Sequence, residues 1–224
     1  TESDDAGISS LKLFAAAIST TTSSVTGLFL PATVTEVTSS PSENKIFYIT
    51  PFGSSYSGLV TNFSNKNQKQ AYSGPFGDYR PSWVGKNLIT LLTKPSARAS
   101  GFFYFLDPTS GSLTRVLGNK NGLIAVASSG GEKIIYSQSE GRSISTFILD
   151  RSSRQTTTLD QVTLADKCVW SKTNSSVVYC AVPKSMPSRI LPDEWYQGLV
   201  FFEDAVWRID TSNNTSEKLI DSDF

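Results

Sequence analysis

The 224-residue chain contains no histidine. A Ser-His-Asp or Cys-His catalytic arrangement therefore cannot be assembled from its own residues. Histidine-ligated zinc sites and H-E-x-x-H chemistry are excluded with it, while chemistry built on paired carboxylates stays open. Cysteine is almost absent: Cys168 and Cys180 are the only two. Charge is sparse, at 18% of residues, and balanced, with 20 Lys plus Arg against 20 Asp plus Glu. A neutral chain lacks the basic face that nucleic acid or an anionic membrane surface calls for, so neither is an expected partner. No apolar run is long enough to span a bilayer. The best, LKLFAAAI at Leu11–Ile18, falls far short of the roughly 20 residues a span needs. It does not read as a signal peptide, because acidic TESDD precedes it where a basic segment is expected. The first residue is Thr1 rather than Met, which reads as a processed protein or a piece cut from a longer one.

In place of charge the chain carries hydroxyls: Ser and Thr make up about a quarter of it. Such polarity suits exposed strand faces and turns better than helices. Four segments recur: VTSSPSENKIFYITP from Val37, PSWVGKNLITLLTKP from Pro81, AVASSGGEKIIYSQS from Ala125 and CVWSKTNSSVVYCAVP from Cys168. Each reads as a short apolar strand, a polar turn and a second apolar strand. The second strands are aligned at Ile46, Leu88, Ile134 and Val177, spaced by 42, 46 and 43 residues. A third strand follows in each unit, then a polar turn and a fourth strand. Asp107, Asp150 and Asp210 close three of the third strands, and Asn62 sits near the same place in the first. Asx side chains suit such a turn because they accept from the backbone just ahead.

Four short strands recurring every 40–45 residues are the signature of β-propeller blades; a sandwich has strands and turns without that fixed period. The expected fold is therefore all-β, a propeller of four-stranded antiparallel blades. The motifs themselves carry a resemblance. SPSENKIFYIT at Ser40–Thr50 resembles the S-P-D-G-x-x-I-x-F/Y motif of TolB-like (WD40-like) propeller repeats. RPSWVGKNLI at Arg80–Ile89 resembles the P-x-W-S-P-D-G stretch of that family, two residues short in the turn, and LDPTSGSLTRV at Leu106–Val116 its D-x-x-T-G-x-x-x-x-L turn. The resemblance covers about Val34 to Asp221 and extends to uncharacterised secreted or surface-anchored bacterial proteins. The Asp-Gly of the first turn is replaced by Glu43-Asn44 in one repeat and Gly131-Glu132 in another, which removes the pattern of a calcium-binding turn.

Residues 1–23 read as an N-terminal extension and 24–224 as the propeller, with repeats at about 35–73, 79–118, 122–160 and 165–221. TolB-like propellers usually have six or more blades, whereas four repeats are countable here. The expectation is a small ring of about five blades with one partial or irregular blade, either closed with help from SVTGLFLP at Ser24–Pro31 or completed by a missing blade or a second chain.

The fourth repeat is irregular. Between its second and third strands lies an insertion at 183–204, PKSMPSRILPDEWYQGLVFFED, where the other repeats have connections read as 5–8 residues. Loops of this length in a compact domain are functional or disordered, and this one is rich in apolar residues. One reading makes it a recognition loop with Trp195 and Tyr196 as aromatic anchors beside Arg189, Asp193 and Glu194, residue types enriched in binding hot spots. Phe76 and Tyr79, in the Gly-rich link GPFGDYR at Gly74–Arg80, are candidates to line the same mouth. The other reading folds the insertion down as a plug or edge cover, with its apolar residues in the core. Trp83 and Trp170 occupy matching repeat positions and read as packing residues between blades.

Cys168 and Cys180 flank a hairpin centred near Asn174, which places them opposite one another on neighbouring antiparallel strands. They are read as a disulfide, with two reduced core thiols as the alternative. A lone pair of thiolates makes half a metal site, and the spacing is not that of a C-x-x-C redox pair. The functional expectation is a non-catalytic extracytoplasmic binding or scaffolding module, periplasmic, surface-bound or secreted, without metal or cofactor. Its expected partner is an envelope or extracellular protein, or a glycan. The alternatives are a carbohydrate-active propeller enzyme and the propeller domain of a larger peptidase.

Overall fold

The computed structural model describes residues 13–18, 25–34, 36–64 and 67–221. Most of the expected N-terminal extension, Ser24 and the final three residues lie outside the described residues. Strands β1 (Phe14–Ile18) and β2 (Val25–Phe29) form a two-stranded antiparallel sheet. The segment read as an extension thus contributes a strand. Four four-stranded sheets follow, each with its strands in chain order. The first holds β3 (Val37–Ser39), β4 (Lys45–Phe52), β5 (Ser55–Asn62) and β6 (Lys69–Gly74); the second β7 (Tyr79–Gly85), β8 (Leu88–Thr93), β9 (Ser100–Leu106) and β10 (Leu113–Asn121). The third holds β11 (Ile124–Ala127), β12 (Lys133–Glu140), β13 (Ser143–Asp150) and β14 (Gln155–Thr158); the fourth β15 (Cys168–Trp170), β16 (Val177–Pro183), β17 (Asp204–Asp210) and β18 (Thr215–Ile220). The chain divides into two compact units, one of residues 1–91 with 105–114, the other of 92–104 with 115–224.

The repeat is more regular in the fold than in the sequence. Lys45 pairs with Asn62, Lys133 with Asp150 and Val177 with Asp210, so these three positions are equivalent. Val178, not Val177, therefore matches Ile46 and Ile134; the polar turn before it is one residue longer, which displaces the sequence alignment. The connections between second and third strands also differ from the expected 5–8 residues. Gly53-Ser54 and Gly141-Arg142 are two-residue turns. Gly53 and Gly141 hold φ of 61° and 72°, the left-handed conformation that tight hairpins require and glycine adopts without a Cβ penalty. The stretch PFGSSYS at 51–57 is consequently mostly strand.

In the first unit β4 is buried on both faces. Ile46 and Tyr48 pack against Leu28 of β2 and against Leu30 and Val34 just beyond it. Phe47 and Ile49 point the other way, toward β7, where the Trp83 backbone N–H donates to Thr38 Oγ1 at 2.9 Å. In the second unit Ile134 and Tyr136 occupy one face of β12, and Ile135 and Ser137 the other, all buried. The Trp170 indole N–H donates to the Val126 carbonyl at 2.9 Å, tying the fourth sheet to the third. Trp83 and Trp170 thus both sit between sheets.

The four Asx residues close their turns. Asp107 accepts from the N–H groups of Thr109 and Ser110, Asp150 from those of Ser152 and Ser153, Asp210 from that of Ser212 and Asn62 from that of Ser64. The Ser110 N–H at Asp107, and the Ser152 and Ser212 hydroxyls at Asp150 and Asp210, are the largest causes holding these three carboxyls below the usual aspartate value. Because each folded-state pKa is depressed, the stabilisation is complete above the unfolded aspartate pKa and is lost as pH falls through the folded values. A triple variant with Asn at 107, 150 and 210 keeps the amide-oxygen acceptor but not the charge. Its melting temperature is expected to fall less steeply with acidification below about pH 5 than that of the parent; parallel pH profiles would refute the assignment.

Candidate functional site

The insertion is built from the core outward. Leu191 and Val200 are buried, at 1% and 6% exposure, so part of it is core. Between them a single turn of helix, α1 (Asp193–Tyr196), follows buried Pro192. The seat is close-fitting: a Cβ at Gly122 would lie 3.1 Å from Pro192 Cδ and against Ser139. The Ser139 hydroxyl donates to the Leu191 carbonyl. Arg142 Nη2 donates to the Ser188 carbonyl at 3.2 Å.

The Asp193 carboxylate accepts from the Ser96 hydroxyl at 2.9 Å and the Ala97 N–H at 2.6 Å. It clamps the insertion to the β8–β9 connection. Glu194 Oε2 is buried without a hydrogen bond, with the half-exposed Arg189 guanidinium 3.7 Å away. The second half of the insertion rests on the short 3-10 turn Ala165–Lys167 ahead of β15. The Tyr196 hydroxyl donates to the Asp166 carboxylate, and Lys167 pairs with Asp204. The Lys167 ammonium also lies 4.2 Å from the centre of the Phe202 ring, a cation–π contact. Burial pushes the Lys167 ammonium below the usual lysine range, and the Asp204 hydrogen bond opposes that shift. Trp195 is half-buried, with its ring 6.4 Å from Phe202 and 5.1 Å from Tyr196.

Against this fixed base, Tyr196, Leu199 and Phe201 are 42%, 65% and 87% exposed. Reasoning from charge and aromatic pairing does not single out Leu199 and Phe201; the signal present in the sequence is only the apolar run GLVFF, which does not say which side chains turn outward. Of the residues the sequence does single out, Arg189, Asp193, Glu194, Trp195 and Tyr196 lie together on the insertion. Phe76 and Tyr79 belong to the other unit. Tyr79 is buried at 6% exposure, edge-on to Tyr72 and Phe76, because it begins β7 on its inward-facing side. It is a packing residue there. Phe76 is 42% exposed.

Removing the clamp should loosen the insertion without unfolding the sheets. Asp193→Ala is expected to cost about 1–2 kcal/mol locally, read as faster hydrogen exchange at 193–203 with little change in the β3–β6 amides. Unchanged exchange in the insertion would show the clamp to be dispensable.

Among the described residues no three of Asp, Glu, Cys and His come together as a metal site, and no helix is long and apolar enough to cross a membrane. No protein-family model and no curated protein sequence matches the chain. Solved structures do. TolB from Acinetobacter baumannii is similar at a TM-score of 0.54 and 12% identity, over 85% of this chain and 44% of that one. The β-propeller domain of the trilobed protease from Pyrococcus furiosus gives 0.52 and 10%, over 84% and 57%. An oligogalacturonate lyase in complex with manganese gives 0.58 and 8%, over 87% and 56%. The chain thus spans about half the length of these neighbours. Its fold is a TolB-like β-propeller fold, and its four-stranded sheets are blades.

Proposed function

We propose that this propeller is a non-catalytic binding module that works outside the cytoplasm and contacts a protein partner through Tyr196, Leu199 and Phe201. The carrying observation is the contrast within the insertion: its base is buried and clamped, while Phe201 is 87% exposed at its rim. A rigid apolar anchor loses little conformational freedom on binding, which is what a hot spot needs. A protein partner fits this rim better than a glycan, because Trp195 lies half-buried beside Phe202 and the most exposed side chains are Leu199 and Phe201. The resemblance in fold to TolB supports a role through protein contacts, and the disulfide supports an oxidising compartment. The enzyme reading would rest on Asp193 and Glu194, and Asp193 is engaged by Ser96 and Ala97.

A photo-crosslinking residue at position 201, expressed in the native host, tests this. The expected result is one discrete crosslinked protein that is absent when the same residue replaces Phe52, another solvent-facing ring at 71% exposure, and lost on adding Leu199→Asp. Crosslinking that is diffuse, or the same from both positions, would refute the site. Glycan-array binding lost in Phe201→Ala would instead transfer the site to a sugar.

A further inference from the structure

Two clefts, one in each unit, lie at corresponding places and carry opposite charge. The shared register makes Lys45 and Val60, which line a cleft of 370 Å3, the counterparts of Lys133 and Ile148, which line one of 290 Å3. The charged residues of the second are Lys133 against Asp150, Asp160 and Asp210. Those of the first are Glu43 against Lys45, Lys69 and Lys86. One cause is Asn62. It stands in the place of Asp150, the carboxylate that Lys133 pairs with at 3.1 Å.

The first cleft has an apolar floor and a cationic rim. Val60, Trp83 and Pro108 are its buried residues. The exposed lysines come from three places: Lys45 begins β4, Lys69 begins β6, and Lys86 stands beside Asn87 in the turn between β7 and β8. A few convergent polar groups over an apolar floor, in this volume, suit a small organic molecule. Lys45 is paired with Glu43 at 2.5 Å. That hydrogen bond is the largest cause holding the Glu43 carboxyl below the usual carboxylate range, and the Lys86 charge adds to it. Lys69 donates to the Thr109 carbonyl. The Asp107 carboxylate also feels the Lys69 charge but accepts from the Thr109 and Ser110 N–H groups of its own turn. Among the described residues, Glu43 is thus the one carboxylate lining the cleft, against three ammonium groups.

The floor adds a neutral donor. Trp83 is 6% exposed, and its indole N–H is buried without a hydrogen-bond partner among the described residues. The matching Trp170 donates its indole N–H to the Val126 carbonyl at 2.9 Å. Trp83 instead uses its backbone N–H on Thr38, the counterpart of Val126, and the indole is left over. A buried donor left unpaired is costly and calls for an acceptor. The nitrogen is closed off by neighbouring atoms, so an acceptor reaches it by displacing one of them. We propose that this cleft binds a small anionic organic molecule through a carboxylate or phosphate group, held by the Lys69 and Lys86 ammonium groups with the Trp83 indole N–H as neutral donor. The body of the ligand lies against Val60 and Pro108. The site belongs to the first unit and stands independently of the Phe201 rim, which belongs to the second.

Proton–nitrogen correlation spectra of the 224-residue chain test this, because the Trp83 indole N–H has its own resonance. Inorganic phosphate and citrate are titrated separately, with sodium chloride holding the ionic strength constant. The expected result is a saturable shift of the Trp83 indole signal while those of Trp170, Trp195 and Trp207 stay in place. A response to phosphate alone identifies a phosphorylated ligand, and a response to citrate alone a carboxylate one; either, or both, supports the site. Lys69→Gln combined with Lys86→Gln should weaken the binding by about tenfold or more. Both lysines are exposed, so the fold is retained. Lys133→Gln, in the corresponding cleft of the second unit, should leave the affinity unchanged. No saturable shift with either anion, undiminished affinity in the double variant, or a shift shared equally by the other three indoles overturns the proposal.

Discussion

Phe47→Ala should destabilise the first unit by about 3–5 kcal/mol, a drop in melting temperature on the order of 10 °C. Phe47 has no exposed surface. It stands opposite Val60 on β5 and Thr38 on β3, in the middle of the face turned toward β7. The loss combines the transfer energy of the ring with a cavity the neighbours cannot fill. Gly58, on the same face of β5, has no side chain to move in, and a Cβ there would meet the Phe47 ring at 2.7 Å and Tyr72 Cβ at 2.7 Å. The ring occupies the space that glycine leaves. Phe52→Ala, at the exposed end of the same strand, is the control and should stay within about 0.5 kcal/mol. If the two substitutions melted alike, the assignment of Phe47 to the core would be wrong.

Residues such as Phe47 were legible because period and burial reinforce one another. KIFYIT alternates two apolar sets, and both are buried, one against the β1–β2 hairpin side and one toward β7. The Asx positions were legible for a similar local reason, since Asp107, Asp150 and Asp210 bond only to the two or three residues ahead of them. What could not be read depends on contacts distant in sequence. Asp193 looks like any surface carboxylate until the β8–β9 connection, 96 residues away, brings the Ala97 N–H to it. Tyr196 reads as a free anchor in the sequence, yet its hydroxyl is engaged by Asp166 from the start of the fourth blade. Within GLVFF the sequence holds no alternation that separates buried Val200 from Phe201; the direction of each is set by the seat under Leu191 and Lys167. The one-residue misalignment of the fourth repeat has the same origin, because apolar identity at Val177 and Val178 is equal and only pairing with Asp210 distinguishes them.

Replacing both cysteines, Cys168→Ala with Cys180→Ala, is expected to cost about 2–3 kcal/mol. The two face each other across β15 and β16 and are bonded, with a sequence separation of 12. Closing so short a loop restricts the unfolded chain only modestly, which bounds the effect. The bond is not required by the repeat. In the third blade the same two positions are Ala125 opposite Tyr136, and both are buried; an aromatic ring there fills the space that the paired sulfurs fill in the fourth blade. Cys168→Ala with Cys180→Tyr should therefore recover part of the packing loss while leaving the loop-closure loss in place. Hydrogen exchange should report both losses in β15–β17, the strands flanking the insertion, and not in β3–β6. On the proposed extracytoplasmic reading, the bond forms where thiols oxidise. Protein taken from its native host into an alkylating denaturant should yield no modified cysteine before reduction and two after it. Two modified cysteines before reduction would place the folded chain in a reducing compartment and remove the main support for an extracytoplasmic partner.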